Sequence, residues 1–185
     1  MLIGLTGPAF SGKDTVGWFL TLQHGFTAKA FADPLRDGLR KMLGLLESDF
    51  LPNNKERTID WLGKSPRELL QSLGTEWGRD LVHRQVWVRR MAMRIQEDLH
   101  ADKLIVITDV RFVDEAELVH RFGGHIWQIL RPGSETTEHS DHRSEQELVR
   151  IVPDTVILND GTLQQLREKV DDAVHFTKTY HPVRI

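Results

Sequence analysis

Cysteine is absent from the 185 residues of this chain. The missing thiols exclude disulfides, thiolate metal sites and a cysteine nucleophile, and they fit a reducing compartment. Long apolar runs are missing too, because the longest, such as Leu104 to Ile107, fall far short of the roughly 18 residues that a membrane-spanning helix needs. We therefore expect no membrane segment. The start of the chain has no basic stretch before an apolar one, so we expect no signal peptide.

An excess of positive charge is also missing, since 24 Lys and Arg stand against 27 Asp and Glu, for a formal net charge of -3. Wide contact with a nucleic-acid backbone usually needs a basic balance, so we expect no stable nucleic-acid binding. A small anionic ligand remains compatible with this charge. The hydrophobic fraction of 39% and the charged fraction of 28% are ordinary for a globular protein, and the length predicts one domain.

A glycine-rich segment stands near the start of the chain, Gly4-Leu-Thr-Gly-Pro-Ala-Phe-Ser-Gly-Lys-Asp-Thr15, between a predicted strand and a predicted helix. Gly7, Gly12 and Lys13 have the spacing of a phosphate-binding loop. Glycine lets successive backbone amides turn toward phosphate oxygens, and the lysine reaches the terminal phosphates. The alternative is a structural glycine-rich turn. We expect a phosphate loop formed by Phe10, Ser11, Gly12, Lys13, Asp14 and Thr15.

The position after Lys13 usually carries serine or threonine, but here it is Asp14, and the hydroxyl follows at Thr15. A carboxylate there is favourable beside the positive end of a helix, and it also reaches a metal-bound water. Both roles remain open.

Apolar runs alternate with amphipathic ones along the chain. They predict strands over 1–6, 27–31, 103–108, 125–130 and 155–158, and helices over 14–23, 35–43, 113–122 and from about 83. This order predicts an α/β fold with a mostly parallel sheet, helices on both faces, and ligands outside the carboxyl ends of the strands. Asp109, Arg131 and Asn159 fall at such ends.

Two segments break the alternation. Residues 45–64 have no clean period and predict an irregular excursion. Ser65 to Glu68 then has the spacing of a capping box that begins a helix, which we expect Gly74 to interrupt. Residues 133–150 are polar, and we expect them to form a mobile lid that excludes water from a reaction.

Asp109 ends an Ile-Val-Ile-Thr strand, and Arg111 follows two residues later. P-loop proteins place an acidic residue in this position near magnesium, whereas the alternative is a simple turn former. The guanidinium of Arg111 offers a planar fork for phosphate.

Seven motifs now occur in a specific order: Gly12 to Thr15, Phe31 to Arg36, Leu70 to Thr75, Val86 to Val88, Asp109 to Phe112 with Glu115, Arg131 to Gly133, and Asn159 to Thr162. In this order they resemble the bacteriophage deoxynucleoside monophosphate kinases over nearly the whole chain, with 45–64 unmatched. The resemblance implies a P-loop nucleotide kinase fold and transfer of the γ-phosphoryl group of ATP, with Mg²⁺, to a deoxynucleoside monophosphate. It also implies a location in the cytoplasm, which is the host's for a phage-encoded chain.

The resemblance also implies a division of the chain and a set of roles. The core would be 1–44, 84–132 and 151–185, the monophosphate-binding region 45–83, and the lid 133–150. ATP would be bound by the phosphate loop from Phe10 to Thr15, and Asn159 and Gly161 would lie near the base of ATP. The groups that meet the transferred charge would be Lys13, Arg111, Arg131 and Arg143, and Mg²⁺ would be held, directly or through water, by Asp14, Thr15 and Asp109. The acceptor nucleotide would be surrounded by Asp33, Arg36, Arg67, Gln71, Gly74, Thr75, Trp87, Asp109, Arg111 and Glu115.

Several alternatives stay open at this point. Trp87 either stacks on a base or is an ordinary core tryptophan. A kinase of another phosphorylated molecule, such as phosphomevalonate, would use a similar Gly-Lys-Asp loop and Asp-x-Arg element. A non-catalytic ATP-responsive binding protein would need only the loop. The helix over 86–99 leaves a homodimer open.

Overall fold

The computed structural model describes residues 1–134 and 143–180 of the chain. They form two compact units, which we call the core unit (Met1–Ala30 with Ala92–Ile185) and the inserted unit (Phe31–Met91). The inserted unit is wider than the predicted monophosphate-binding region 45–83, since it also takes the helix before that region and the first residues of the helix after it. The roles of the two units stay predictions.

A five-stranded sheet organises the core unit, in the order β2-β3-β1-β4-β5. Its strands are β1 (Leu2–Thr6), β2 (Thr27–Lys29), β3 (Ile105–Ile107), β4 (His125–Leu130) and β5 (Thr155–Leu158). Every neighbouring pair is parallel, which confirms the predicted parallel sheet. The strand order reverses at β1, so the segment after β1 leaves the sheet at a switch point, where α/β folds bind their ligands.

Three helices of the core unit pack on this sheet: α1 (Lys13–His24), α5 (Val113–Arg121) and α7 (Leu163–Tyr180). The core unit also contains the short helix α6 (Arg143–Leu148), and α4 (Val86–His100) runs from the inserted unit into the core unit. Phe19 and Leu20 of α1 and Val170 of α7 join β-strand residues such as Trp127 in one buried cluster. Within the described ranges, no helix combines the length and the apolar character needed to cross a membrane.

Helix α7 is not among the predicted helices, although the sequence contains a signal for its start. The amide of Thr162 donates to Gln165 Oε1 over 2.8 Å, and the amide of Gln165 donates to Thr162 Oγ1 over 3.3 Å. This reciprocal pair is a capping box with the Thr-x-x-Gln spacing.

The inserted unit contains α2 (Asp33–Leu43), a short 3-10 helix (Glu47–Phe50), α3 (Pro66–Gln71) and a π-helical segment (Ser72–Val82) that continues α3. The predicted capping box is confirmed, because the amide of Ser65 donates to Glu68 Oε2 over 2.8 Å and Ser65 Oγ accepts from the amide of Glu68. The hydrogen bonds from Ser65 are also the main reason that the pKa of Glu68 is lowered.

The prediction that Gly74 interrupts this helix is wrong. Gly74 is buried inside the π-helical segment. A Cβ atom at this position would lie 3.0 Å from Leu35 Cδ1 of α2. The glycine therefore allows two helices of the inserted unit to pack closely, and it does not end a helix.

A charged cluster joins β2 to α4 inside the core unit. Lys29 Nζ lies 2.6 Å from Asp98 Oδ2, and Lys103 Nζ lies 3.0 Å from Asp98 Oδ1. The Lys29 and Asp98 side chains are only 10% and 11% exposed. The hydrogen bond from Lys29 is the largest cause that holds the pKa of Asp98 below its ordinary value.

We expect Asp98→Asn to lower the free energy of unfolding at pH 7 by about 1–3 kcal/mol, because it leaves the Lys29 ammonium buried without its counter-charge. A lowered folded-state pKa stabilises the fold above the ordinary pKa of 3.8, and this contribution is lost as pH falls through the folded value. Urea titrations should therefore show the gap between the two proteins closing below about pH 3.8. The exposed Asp172→Asn is the control, and an equal gap at all pH values would contradict the role of Asp98.

Candidate functional site

The segment after β1 has the backbone that the phosphate-loop spacing predicts. Gly7 and Gly12 have φ angles of +136° and +103°. A Cβ atom on Gly7 would lie 2.3 Å from the carbonyl oxygen of Ile129, at a strand that neighbours β1. Phe10 also has a positive φ of +61°, and its side chain is exposed. The glycines are therefore required by the path of the loop, which turns tightly against the sheet before entering α1.

Lys13 is folded over this loop. Its Nζ donates to the carbonyl of Gly7 over 2.7 Å, also to the carbonyl of Pro8, and to Ser11 Oγ over 3.5 Å. Ser11 itself is fully buried. The loop thus holds an ammonium group at the start of α1, beside its own backbone.

Helix α1 begins without a side-chain cap, because its N-cap residue is Gly12. The first amide that bonds within the helix is that of Val16, which donates to the carbonyl of Gly12 over 3.0 Å. Amides of a first helical turn and the positive end of a helix are an anion-binding combination. Asp14 in this turn is exposed and Thr15 is half-buried. The start of α1 therefore combines backbone amides of the kind that bind anions elsewhere with a carboxylate and a hydroxyl in the same turn.

The end of β5 meets the same loop. Asn159 Nδ2 donates to the carbonyl of Ser11 over 2.9 Å. Gly161 follows in an exposed turn, and Asp160 is paired with Lys169 at 2.6 Å. The hydrogen bond from Lys169 is the main cause of a lowered pKa at Asp160. The sequence placed Asn159 at a strand end but gave no signal for its contact with the loop.

Asp109 and Arg111 follow β3, and both are half-buried. The amide of Val110 between them donates to the carbonyl of Leu5 over 3.0 Å, which ties this turn to the end of β1. Glu115 is almost fully buried, and its Oε2 accepts from the amides of Arg111 and Phe112 over 2.9 and 3.2 Å. Glu115 therefore fixes the backbone that presents Arg111, a role that the sequence did not indicate.

The segment after β4 carries Arg131 and then the predicted lid, residues 133–150. Arg131 is exposed, and its carbonyl accepts from the amide and the hydroxyl of Ser134 over 3.0 and 2.7 Å. Glu147 of α6 accepts from the amide of Val113 over 3.4 Å, next to the turn that holds Arg111. Arg143 begins α6, but its side chain, like residues 135–142, lies outside the described part of the chain.

In the inserted unit, the predicted acceptor-binding residues lie on α2, on α3 with the π-helical segment that continues it, and at the start of α4. Arg36 Nη1 lies 3.7 Å from Asp33 Oδ1 in α2, and Arg67 Nη1 lies 2.9 Å from Glu56 Oε1. Gln71 is half-buried and Thr75 is buried, at the junction of α3 and the π-helical segment. Both arginines are therefore held by carboxylates within the same unit.

Trp87 packs against the π-helical segment of its own unit. Its indole Nε1 donates to the carbonyl of Gly74 over 2.7 Å. A Cβ atom on Gly78 would lie 2.5 Å from the indole ring, so only glycine fits beneath it. The half-buried ring thus has its polar atom bonded to the segment that carries Thr75. This contact supports the interpretation of Trp87 as a structural tryptophan and leaves its stacking on a base a prediction.

The apolar side of α4 is the face through which the homodimer left open by the sequence would form. Val88, Met91 and Ile95 on this side are between 0% and 2% exposed in the single chain. This side is therefore covered already, and pairing of two copies through it would require it to be uncovered first.

Comparisons with known proteins agree with this geometry. A family model described as deoxynucleotide monophosphate kinase matches residues 47–170. A protein of Acanthamoeba polyphaga mimivirus is 32% identical over 192 residues, which cover 94% of this chain and 96% of the viral protein. The deoxynucleotide monophosphate kinase of Escherichia phage RB69 is 34% identical over 108 residues, which cover 58% of this chain and only 43% of the phage protein.

Among solved structures, a dephospho-CoA kinase from Campylobacter jejuni superposes with a TM-score of 0.53 at 12% sequence identity. The match covers 95% of this chain and 96% of that protein. This likeness confirms the predicted P-loop kinase fold, while the sequence matches define the family. The chain belongs to the deoxynucleotide monophosphate kinase family.

Proposed function

We propose that this protein transfers the γ-phosphoryl group of ATP to deoxynucleoside 5′-monophosphates and releases ADP and the deoxynucleoside diphosphates. The observation that carries this proposal is the loop from Gly7 to Lys13, where positive φ angles and an uncapped helix start create an anion-binding backbone. Family membership selects a deoxynucleoside monophosphate as the acceptor.

The loop supplies the binding of the ATP phosphates. Phosphoryl transfer depends on positioning and on stabilising charge on the transferred group, and it needs no covalent nucleophile from the protein. The Lys13 ammonium is bonded to backbone carbonyls of the loop. Charged phosphate oxygens are stronger acceptors for an ammonium group than neutral carbonyls are. We infer that Lys13 exchanges these carbonyls for phosphate oxygens when ATP binds.

Arg111 is proposed as the guanidinium that meets the acceptor phosphate and the transferred charge. Its position is defined by Glu115, whose buried carboxylate holds the amide of Arg111. In this proposal, Glu115 acts through Arg111. The remaining acceptor contacts, proposed from the family resemblance alone, are Asp33, Arg36, Arg67, Gln71, Gly74, Thr75, Trp87 and Asp109.

Mg²⁺ fits the donors that the core unit offers. Magnesium takes oxygen ligands, and in kinases it binds through one or two carboxylates together with substrate phosphates. Asp14 and Asp109 supply carboxylates and Thr15 supplies a hydroxyl, and none of the three is fully buried. We propose that these residues hold the ion, directly or through water. The bound ion would neutralise charge on the phosphates.

Arg131 and Arg143 are proposed to act from the segment between β4 and β5. Closure of that segment over bound nucleotides would exclude water and so limit wasteful hydrolysis of ATP.

The test is a coupled assay of ADP release with ATP, Mg²⁺ and one acceptor at a time. We expect release that depends on one or more deoxynucleoside monophosphates, with the diphosphate as the product. Phosphomevalonate is the comparison acceptor. If ADP is released with phosphomevalonate and with none of the deoxynucleoside monophosphates, the chain catalyses another kinase reaction. Absent or acceptor-independent release would support an ATP-responsive binding protein instead.

A further inference from the structure

Asn159 occupies a position that links the sheet to the phosphate loop. Its backbone amide donates to the carbonyl of Leu130 over 2.7 Å, which fixes the residue to the end of β4. Its side-chain amide donates to the carbonyl of Ser11 over 2.9 Å. The residue is half-buried. Asn159 is therefore held at its backbone by the sheet and at its side chain by the loop.

The fit between Asn159 and the loop is close. A Cβ atom on Gly12 would lie 2.5 Å from Asn159 Nδ2 and 3.9 Å from Leu166 Cδ2. Gly12 is also the N-cap of α1, so the loop turns into the helix directly against the Asn159 amide. On the other side of the loop, Gly7 rests against the carbonyl of Ile129. The loop is thus confined at both ends by the ends of β4 and β5.

We propose that Asn159 is a positioning residue for the ATP phosphates, which acts by holding the carbonyl of Ser11 away from the anion site and the amide of Gly12 toward it. A peptide carbonyl and the following amide point in opposite directions because the peptide unit is planar. A hydrogen bond that fixes the carbonyl of Ser11 therefore also fixes the amide of Gly12. This role differs from contact with the base of ATP, which the family resemblance implies for Asn159, and it rests on the proposed function.

Inorganic tripolyphosphate separates the two roles because it carries the phosphates of ATP without a base. Calorimetric titrations of the whole chain with Mg²⁺ would compare ATP and tripolyphosphate in the wild type, Asn159→Ala and Asn159→Ser. We expect both variants to bind both ligands about tenfold more weakly, by the same factor for each ligand. The KM for the deoxynucleoside monophosphate should be unchanged. The exposed Asn53→Ala is the matched control, and it should bind both ligands like the wild type.

Two results would overturn the proposal: weaker binding of ATP with unchanged binding of tripolyphosphate, or unchanged binding of both. A measurement on the wild-type protein tests the same role without depending on whether the variants fold. In ¹⁵N-labelled wild-type protein, the side-chain amide signals of Asn159 should shift with tripolyphosphate as much as with ATP, and a shift with ATP alone counts against the proposal. Intact tripolyphosphate binding without any kinase activity would remove the proposed function and leave the role of Asn159 in place.

Discussion

Replacing Lys13 with methionine is expected to lower the turnover number by about 10²–10³-fold, the usual cost of removing one charged or hydrogen-bonding group aimed at a developing oxyanion. Methionine keeps much of the length and the apolar stem of lysine, so packing against the loop is largely preserved. What is lost is the ammonium that the loop holds at the start of α1. Since Lys13 is proposed to act on the transferred group, turnover should fall more steeply than the affinity for the deoxynucleoside monophosphate.

Initial rates of ADP release over a matrix of ATP and acceptor concentrations would measure this effect. Lys41→Met is the matched control, because Lys41 is exposed in the last turn of α2 and the same charge is removed. Its kinetics should equal those of the wild type. If Lys13→Met kept normal turnover with an unchanged melting temperature, the Lys13 ammonium would have no part in the reaction.

Replacing Gly7 with alanine is expected to lower the free energy of unfolding more than Asp98→Asn or Gly25→Ala does. Two costs act together at this position. A residue with a side chain at a φ of +136° is strained by about 1–3 kcal/mol. The added methyl group would also lie 2.3 Å from the carbonyl oxygen of Ile129, a backbone atom that cannot rotate away, and overpacking of this kind costs about 1–3 kcal/mol more.

Gly25→Ala separates the two costs. Gly25 also has a positive φ, +71°, but no atom lies within 4 Å of an added Cβ. We expect it to show the backbone strain alone, so Gly7→Ala should lose clearly more free energy of unfolding in urea titrations. Gly7→Ala should also lose binding of ATP, whereas Gly25→Ala should keep it. Equal losses for the two variants would mean that the loop moves away from Ile129 at little cost.

The parts of this molecule that the sequence predicted correctly are those encoded locally. The strands, the glycine loop and the capping box at Ser65 each depend on residues within a few positions of one another. Helix α7 was also encoded locally, by Thr162 and Gln165, and its signal was missed. The carboxyl ends of the parallel strands gathered the loop and Asn159 at one edge, as the fold class predicts.

The remaining features depend on contacts between distant residues. Gly74 has the same local signal whether it ends a helix or lets Leu35 approach, and only the second is true here. The partner of Asn159 lies 148 positions away. Likewise, nothing near Trp87 in the sequence indicates that its indole bonds to Gly74. Side-chain direction at such positions follows from tertiary packing, which short-range patterns do not encode.

The order of the strands also has a consequence for synthesis on the ribosome. β1 leaves the exit tunnel first, yet its neighbours are β3 and β4, with Leu2 opposite Ile105 and Ile3 opposite His125. Neither edge of the central strand β1 can therefore form hydrogen bonds with its neighbour until β3 or β4 has been synthesised. The phosphate loop completes its contacts later still, because Asn159, which donates to the carbonyl of Ser11, is synthesised after both neighbours of β1. A nascent chain halted before β5 would have every loop residue but lack the hydrogen bond from Asn159, so under the role proposed for Asn159 its affinity for phosphate should rise only after β5 has been made.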